Sequence, residues 1–216
     1  MSEPINEFEE MYLKRLYEFY ILDPQKPIRN RLIAEAMGVS QASSSEVIHR
    51  LASNGLVYHI PYRGATLTQD GVSAAAKIKR REGLMEVFLV NMLDYQGDVN
   101  KTACRLEHAL TENLERAIDR LLGYPELTPS GEKIPMIGRH LEPNSSKFLI
   151  PLSSLKDGSS GSVELIVLDS SNTVTLQKLG LITGAIISYS DNQYLVGEAS
   201  MEIGPDLASN ILIRVQ

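Results

Sequence analysis

Residues 32–57 read LIAEAMGVSQASSSEVIHRLASNGLV. A short helix over 29–37 (RNRLIAEAM) ends at Gly38, a residue suited to the left-handed turn that closes helices. Met-Gly-Val-Ser (37–40) is a tight turn, and Ser40 is a good N-cap for a second helix over 41–53. Asn54-Gly55 stops that helix. Ala34, Val39, Val47, Ile48 and Leu51 fall where the two helices would pack. Upstream, EFEEMYLKRLYEFY (7–20) has apolar residues near helical spacing, and DPQKP (23–27) interrupts it. Downstream, LVYHIPYRGATLTQDG (56–71) reads as two short strands around a turn. The order is helix, helix, tight turn, helix, two-stranded wing: a winged helix-turn-helix. In such a module the second helix of the pair enters the major groove with its N-terminal residues foremost. Here those are Ser40, Gln41, Ala42, Ser43, Ser45 and Glu46, all small or polar. No Arg or Lys stands on that face before Arg50, so bidentate arginine readout of guanine is weak, and serine hydroxyls suit phosphates better. DNA shape and half-site spacing are expected to carry much of the specificity.

The whole chain of 216 residues is 43% hydrophobic, 22% charged and 6% aromatic, which excludes a disordered or low-complexity protein. No apolar run approaches the length of a membrane span. The start, MSEPINEFEEMY, is acidic and lacks the signature of a secretory signal, and Cys104 is the only cysteine. A cytoplasmic protein is expected. A net charge of −6 disfavours non-specific coating of nucleic acid. The positive charge is nonetheless clustered at Arg29, Arg31, Arg50, Arg63, Lys77, Lys79, Arg80 and Arg81.

After the wing, GVSAAAKIKRREGLMEVFLVNML (71–93) and KTACRLEHALTENLERAIDRLL (101–122) read as two long amphipathic helices. Such a pair commonly forms a dimer interface, which sets the spacing of two reading helices on a duplex. YPELTPSGEKIP (124–135) is a prolyl linker. The remainder is strand-like: KFLIPL, SVELIVL, TVTLQKL, AIISYS, QYLVGEA, SMEIG and NILIRVQ. Short strands at close intervals suggest a small barrel. The expected architecture is α+β and multidomain: a winged helix-turn-helix over 1–73, a helical dimerisation domain with its linker over 74–140, and a small β-barrel over 141–216.

Chemistry concentrates in Ala103-Cys104-Arg105-Leu106-Glu107-His108. On a helix, positions i, i+3 and i+4 share a face, so Cys104, Glu107 and His108 can converge. Thiolate, carboxylate and imidazole suit a divalent transition metal. The same spacing also fits a buried cysteine beside a solvated glutamate. Such a set needs a further ligand from elsewhere, and Met11 is a candidate whose soft thioether fits iron(II) better than magnesium or calcium.

The chain resembles the iron-dependent regulators of the diphtheria toxin repressor family. The resemblance rests on EMYLKRLYE (10–18), the helix-turn-helix (32–57), TLTQDG (66–71) and above all ACRLEH (103–108), and it covers essentially the whole chain. It implies an SH3-like C-terminal barrel and a homodimer that binds a palindromic operator controlling metal-uptake genes once Fe2+, or alternatively Mn2+, is bound. Ni2+, Co2+ or Zn2+ can substitute in vitro. It places the regulatory metal on Met11, Cys104, Glu107 and His108. It places an ancillary metal on Glu82, Glu86, Asp169 and Asn172, although the family pattern has His at Glu82 and a second His near Asn100. DNA contacts fall on Ser40, Ala42, Ser43, Ser45, Glu46 and Arg50, with Arg29 and Asn30 near phosphates. Glu46 stands where the family often has Gln. It cannot donate, so it would accept from cytosine instead.

Two rival readings remain. One is a winged-helix regulator responding to an organic ligand or a redox signal, with Cys104 structural or redox-active. The other is a metalloenzyme using Glu107 as base. No H-E-x-x-H, P-loop or Ser-His-Asp signature supports it, and His49, His59 and His140 are scattered. No enzyme activity is expected.

Overall fold

The structure, a computed structural model, describes residues 5–138, 149–168, 170–197 and 199–215. The chain forms two compact units. The first holds the N-terminal segment through Glu82, together with Cys104–Ala109 and Pro135–Gly138. The second holds Gly83–Ala103, Leu110–Ile134 and the C-terminal remainder.

In the first unit, α1 (Glu7–Leu22) opens on a reciprocal cap. The Asn6 side chain accepts from the Glu9 N–H and the Glu9 carboxylate accepts from the Asn6 N–H, each at 3.0 Å. Its apolar face, Tyr12, Leu13 and Leu16, is fully buried. Helix α2 (Asn30–Met37) ends on Gly38 at φ 66°, and Ser40 caps α3 (Gln41–Ser53) by accepting from the Ser43 N–H. Strands β1 (Val57–Ile60) and β2 (Gly64–Leu67) pair antiparallel, Val57 opposite Leu67, as the wing. Ile28, just before α2, exchanges two backbone hydrogen bonds with Ala65 and so staples the wing to the helices. Gly64 is required there: its φ is +116°, and a Cβ would lie 2.0 Å from the Ile28 carbonyl oxygen. Leu16, Ile33, Val47, Ile48, Leu51, Val57 and Leu67 share one core with Ile78 from the next helix, α4 (Gln69–Val87). The helix-turn-helix and wing read from the sequence are therefore present, with boundaries within a residue or two.

In the second unit, α4 passes into a π-helical turn over Phe88–Met92. The single helix expected over 101–122 is two helices. α5 (Val99–Glu107) starts earlier, with Asp98 accepting from the Lys101 N–H, and α6 (Glu112–Leu121) starts after a break. Thr111 caps α6 by accepting from the Leu114 N–H. Apolar periodicity runs through the break, but a Thr hydroxyl offers the backbone a local alternative to the helical ladder. Leu84, Val87, Leu89, Ala103, Leu110, Ile118, Leu122 and Ile134 form the core here.

The C-terminal region is an antiparallel sheet. It comprises β3 (Leu149–Pro151), β4 (Ser159–Ile166), β5 (Ile186–Ser190), β6 (Gln193–Val196), β7 (Ala199–Met201) and β8 (Ile211–Val215), in the order β3-β8-β4-β5-β6-β7. TVTLQKL, expected as a strand, lies in helix α7 (Ser170–Lys178) up to Lys178, with Leu179 in the turn that follows. Its β-branched residues read as strand, yet only Leu176 reaches the core while Val174 and Leu179 face solvent. A short helix α8 (Pro205–Ser209), with Pro in its first turn, separates β7 from β8.

Candidate metal centre and nucleic-acid interface

The turn that ends α5 supplies most of the centre. Cys104 and Glu107 are an i, i+3 pair on α5, and His108 follows immediately. One ligand atom from each of Cys104, Glu107 and His108 lies within 4.8 Å of the other two, and among the described residues no other such group of three or more occurs. Helix α1 supplies the rest. The Sδ of Met11 lies 3.6 Å from the Cys104 Sγ. Residues 93 positions apart are thus brought together, and the sequence-predicted set of Met11, Cys104, Glu107 and His108 converges.

Two features suit this set to a metal. Glu10, beside Met11, accepts a hydrogen bond from the Nδ1 of His108. An accepting carboxylate places the ring proton on Nδ1 and leaves Nε2 as the lone-pair atom, which sits 3.5 Å from the Glu107 Oε1. The Oε2 of Glu107 is buried and has no hydrogen-bond partner. An unsatisfied buried carboxylate oxygen is costly, and a cation at this point would satisfy it. The donor set of two sulfurs, one carboxylate and one imidazole fits a transition metal rather than magnesium or calcium.

The sequence reading missed Lys14. Its side chain is 6% exposed, and its ammonium donates to Glu107 Oε1 at 2.7 Å, Glu82 Oε1 at 2.8 Å and Cys104 Sγ at 3.2 Å. Burial opposes the charge on Lys14, but Glu107 and Glu82 hold its pKa above the ordinary lysine value. Burial pushes the Glu107 carboxyl up to about 8 against the pull of Lys14. It prevails because Glu107 shares that one ammonium with Glu82. Burial also opposes the charge of Glu82, yet Lys14 and Lys79, the latter at 2.6 Å, hold its pKa below the usual carboxylate range. The i, i+3 spacing of Met11 and Lys14 on one helix face is the signal that could have found it.

Of the ancillary set, Glu82 is engaged with Lys14 and Lys79. Glu86 is buried in the second unit, and Asn172 is exposed. Asp169 lies outside the described residues, as does His140.

At the helix-turn-helix, Ser40, Ala42, Ser43, Glu46 and Arg50 are exposed and Ser45 is half-buried. Asn30 is different from the expectation. Its amide donates to Gln41 O at 2.8 Å and Ser45 Oγ at 3.0 Å, and accepts from the buried Ser44 hydroxyl at 2.7 Å. It ties α2 to α3. Arg50 donates from Nε to Glu9 at 2.8 Å, so α3 is joined to the first turn of α1. Arg29, Arg31, Lys26 and Arg63 line a groove between the start of α2 and the wing, with Tyr62 fully exposed at the wing turn.

The family description "Iron dependent repressor, N-terminal DNA binding domain" matches residues 6–65, and "Iron dependent repressor, metal binding and dimerisation domain" matches residues 68–136. The iron-dependent repressor IdeR of Mycobacterium leprae is 30% identical over 176 residues, 81% of this chain and 76% of that protein. The chain belongs to the iron-dependent repressor family. Against IdeR of Mycobacterium tuberculosis the identity is 32% over 155 residues, 69% of this chain and 66% of that protein, so the chain spans just under two thirds of that relative's length. Among solved structures, a manganese-dependent transcriptional repressor in complex with manganese is 28% identical with a TM-score of 0.54, covering 96% of this chain and all of that one. A structure of IdeR from T. acidophilum has a TM-score of 0.52 and 24% identity, covering 99% of this chain and 100% of the other, which supports the fold. The family is one of metal-dependent, DNA-binding transcriptional repressors, and the winged module and C-terminal sheet of this chain are its architecture. Among the described residues, no helix is long and apolar enough to cross a membrane.

Proposed function

We propose that this chain is a metal-activated repressor, holding Fe(II), or alternatively Mn(II), on Met11, Cys104, Glu107 and His108. As a homodimer it then binds a palindromic operator of metal-uptake genes. The observation that carries the reading is the approach of Met11 on α1 to the thiol, carboxylate and imidazole at the end of α5. Bound there, the ion supplies a positive charge that ties α1 to α5. The sulfur ligands favour iron(II), whereas the Irving–Williams order lets nickel, cobalt or zinc bind more tightly in vitro.

The first turn of α1 is the link to DNA. Glu9 holds Arg50 of the reading helix, while Glu10 holds His108 and Met11 faces Cys104. Fixing α1 therefore fixes the base of α3. A ligand shifts such an equilibrium only by its differential affinity, and operator DNA must tighten metal binding by the same factor. Ser40, Ala42, Ser43, Ser45, Glu46 and Arg50 would face the major groove, with Arg29 and Asn30 at its phosphate edge. Asn30 contributes chiefly by holding α2 on α3.

The test is operator binding by fluorescence anisotropy, performed anaerobically with and without Fe(II) or Mn(II). Binding that requires metal in the wild type and is lost in a folded, dimeric Cys104→Ala variant supports the assignment. An undiminished metal response in that variant removes it.

A further inference from the structure

Three anionic or soft ligand atoms, from Glu82, Glu107 and Cys104, surround the Lys14 ammonium at 2.7–3.2 Å. That is the donor environment of a bound cation, and its occupant is tethered to α1. Two of those three atoms belong to the proposed metal ligands. Lys14 therefore holds the same carboxylate and thiol that a metal would take. We propose that Lys14 is a built-in counter-cation that competes with the metal for Glu107 and Cys104. On this reading Glu82 is the partner that keeps Lys14 once they are released. The inference rests on the metal assignment above.

The physical argument has two halves. Without metal, Glu82 and Glu107 are buried carboxylates, and both bond to this one ammonium. A buried ammonium or polar group left without partners is strongly unfavourable, and Glu82, Glu107 and Cys104 all accept from Lys14, so Lys14 keeps the ligands gathered while no ion is present. With metal, an ammonium beside a divalent cation is repelled at short range in a poorly screened site. Lys14 must then give up Glu107 and Cys104. Glu82 stays available to it, because its other oxygen is the one that meets Lys79. Lys14 thus sets the threshold of the site: high enough to refuse metal when it is scarce, with Glu82 limiting the penalty when it is bound.

The two partners carry opposite predictions. Lys14→Leu removes the competing charge without adding a sulfur donor and should tighten metal binding by about tenfold or more. Lys14→Arg keeps a cation and should stay near wild type. Glu82→Gln leaves Lys14 without its anionic partner in the loaded state and should weaken metal binding by a similar factor. The readout is direct titration of the full-length protein with cobalt(II), following the thiolate-to-cobalt absorption and competing with a chelator, with no DNA present. Tighter binding in Lys14→Leu and weaker binding in Glu82→Gln support the proposal. Equal or weaker binding in folded Lys14→Leu overturns it, because Lys14 would then only orient the ligands. Should circular dichroism show Lys14→Leu unfolded, Glu82→Gln decides alone, and unchanged or tighter binding there overturns the proposal. Absence of the thiolate band in the wild type would instead remove the metal assignment itself.

Discussion

At the residue scale, Glu107 carries the chemistry that burial creates. Its carboxyl, pushed up to about 8, lies above its ordinary value of 4.5. In the metal-free protein its contribution to stability is therefore fully present below about 4.5 and lost as pH rises through about 8. Urea unfolding of metal-free protein should show a midpoint that falls across that window, and Glu107→Gln should flatten the fall. A midpoint that rises there in the wild type would contradict the assignment of a buried, under-partnered carboxyl. On the proposed assignment a metal would require the ionised form, so uptake by the wild type should release protons. The spacing of Cys104, Glu107 and His108 was legible as a candidate ligand face. The roles of Glu10 and Lys14 were not, because each acts on a residue more than 90 positions away. Charged residues on an amphipathic helix read as solvated until packing buries them.

At the scale of elements, one side chain ties the helix-turn-helix together alongside its apolar contacts. Asn30 bonds Gln41, Ser44 and Ser45 across the turn. Asn30→Ala leaves the fully buried Ser44 hydroxyl without that acceptor, and should destabilise the protein by roughly 1–3 kcal/mol. Chemical denaturation checks this, and a loss below about half a kcal/mol would mean that water replaces the amide at no penalty. Local signals set α2, α3 and the wing, because Gly38, Ser40 and the strand alternation act within a few residues. The same local signals misread two other elements. Periodicity ran through the break between α5 and α6, where Thr111 caps a new helix. The β-branched TVTLQKL became α7, where only Leu176 needs a buried position. Short segments are decided by what they pack on when propensity is close to balanced.

At the scale of the whole molecule, the proposed association with DNA is an electrostatic problem for a chain of net charge −6. The basic groove of Lys26, Arg29, Arg31 and Arg63 beside the wing is the local exception. The proposed homodimer would present that groove twice. Arg63→Ala should therefore weaken operator binding and reduce the slope of log K against log salt by about two, since each phosphate contact contributes about 0.9. A slope change of about one would mean that a single copy touches DNA. An unchanged slope would remove Arg63 from the interface.

The sequence by itself determined the winged module, the α+β class and the identity of the metal-ligand candidates, because helix caps, turn residues and i, i+3, i+4 spacing are local and physically constrained. Only the tertiary structure decided that Met11 meets Cys104, that Glu10 fixes the His108 ring, and that Lys14 and Glu82 bear on the same carboxylate and thiol. Those relations depend on how α1 packs against α4 and α5. Coulomb and coordination interactions act through space, so their partners are set by which helix faces are buried together rather than by distance along the chain.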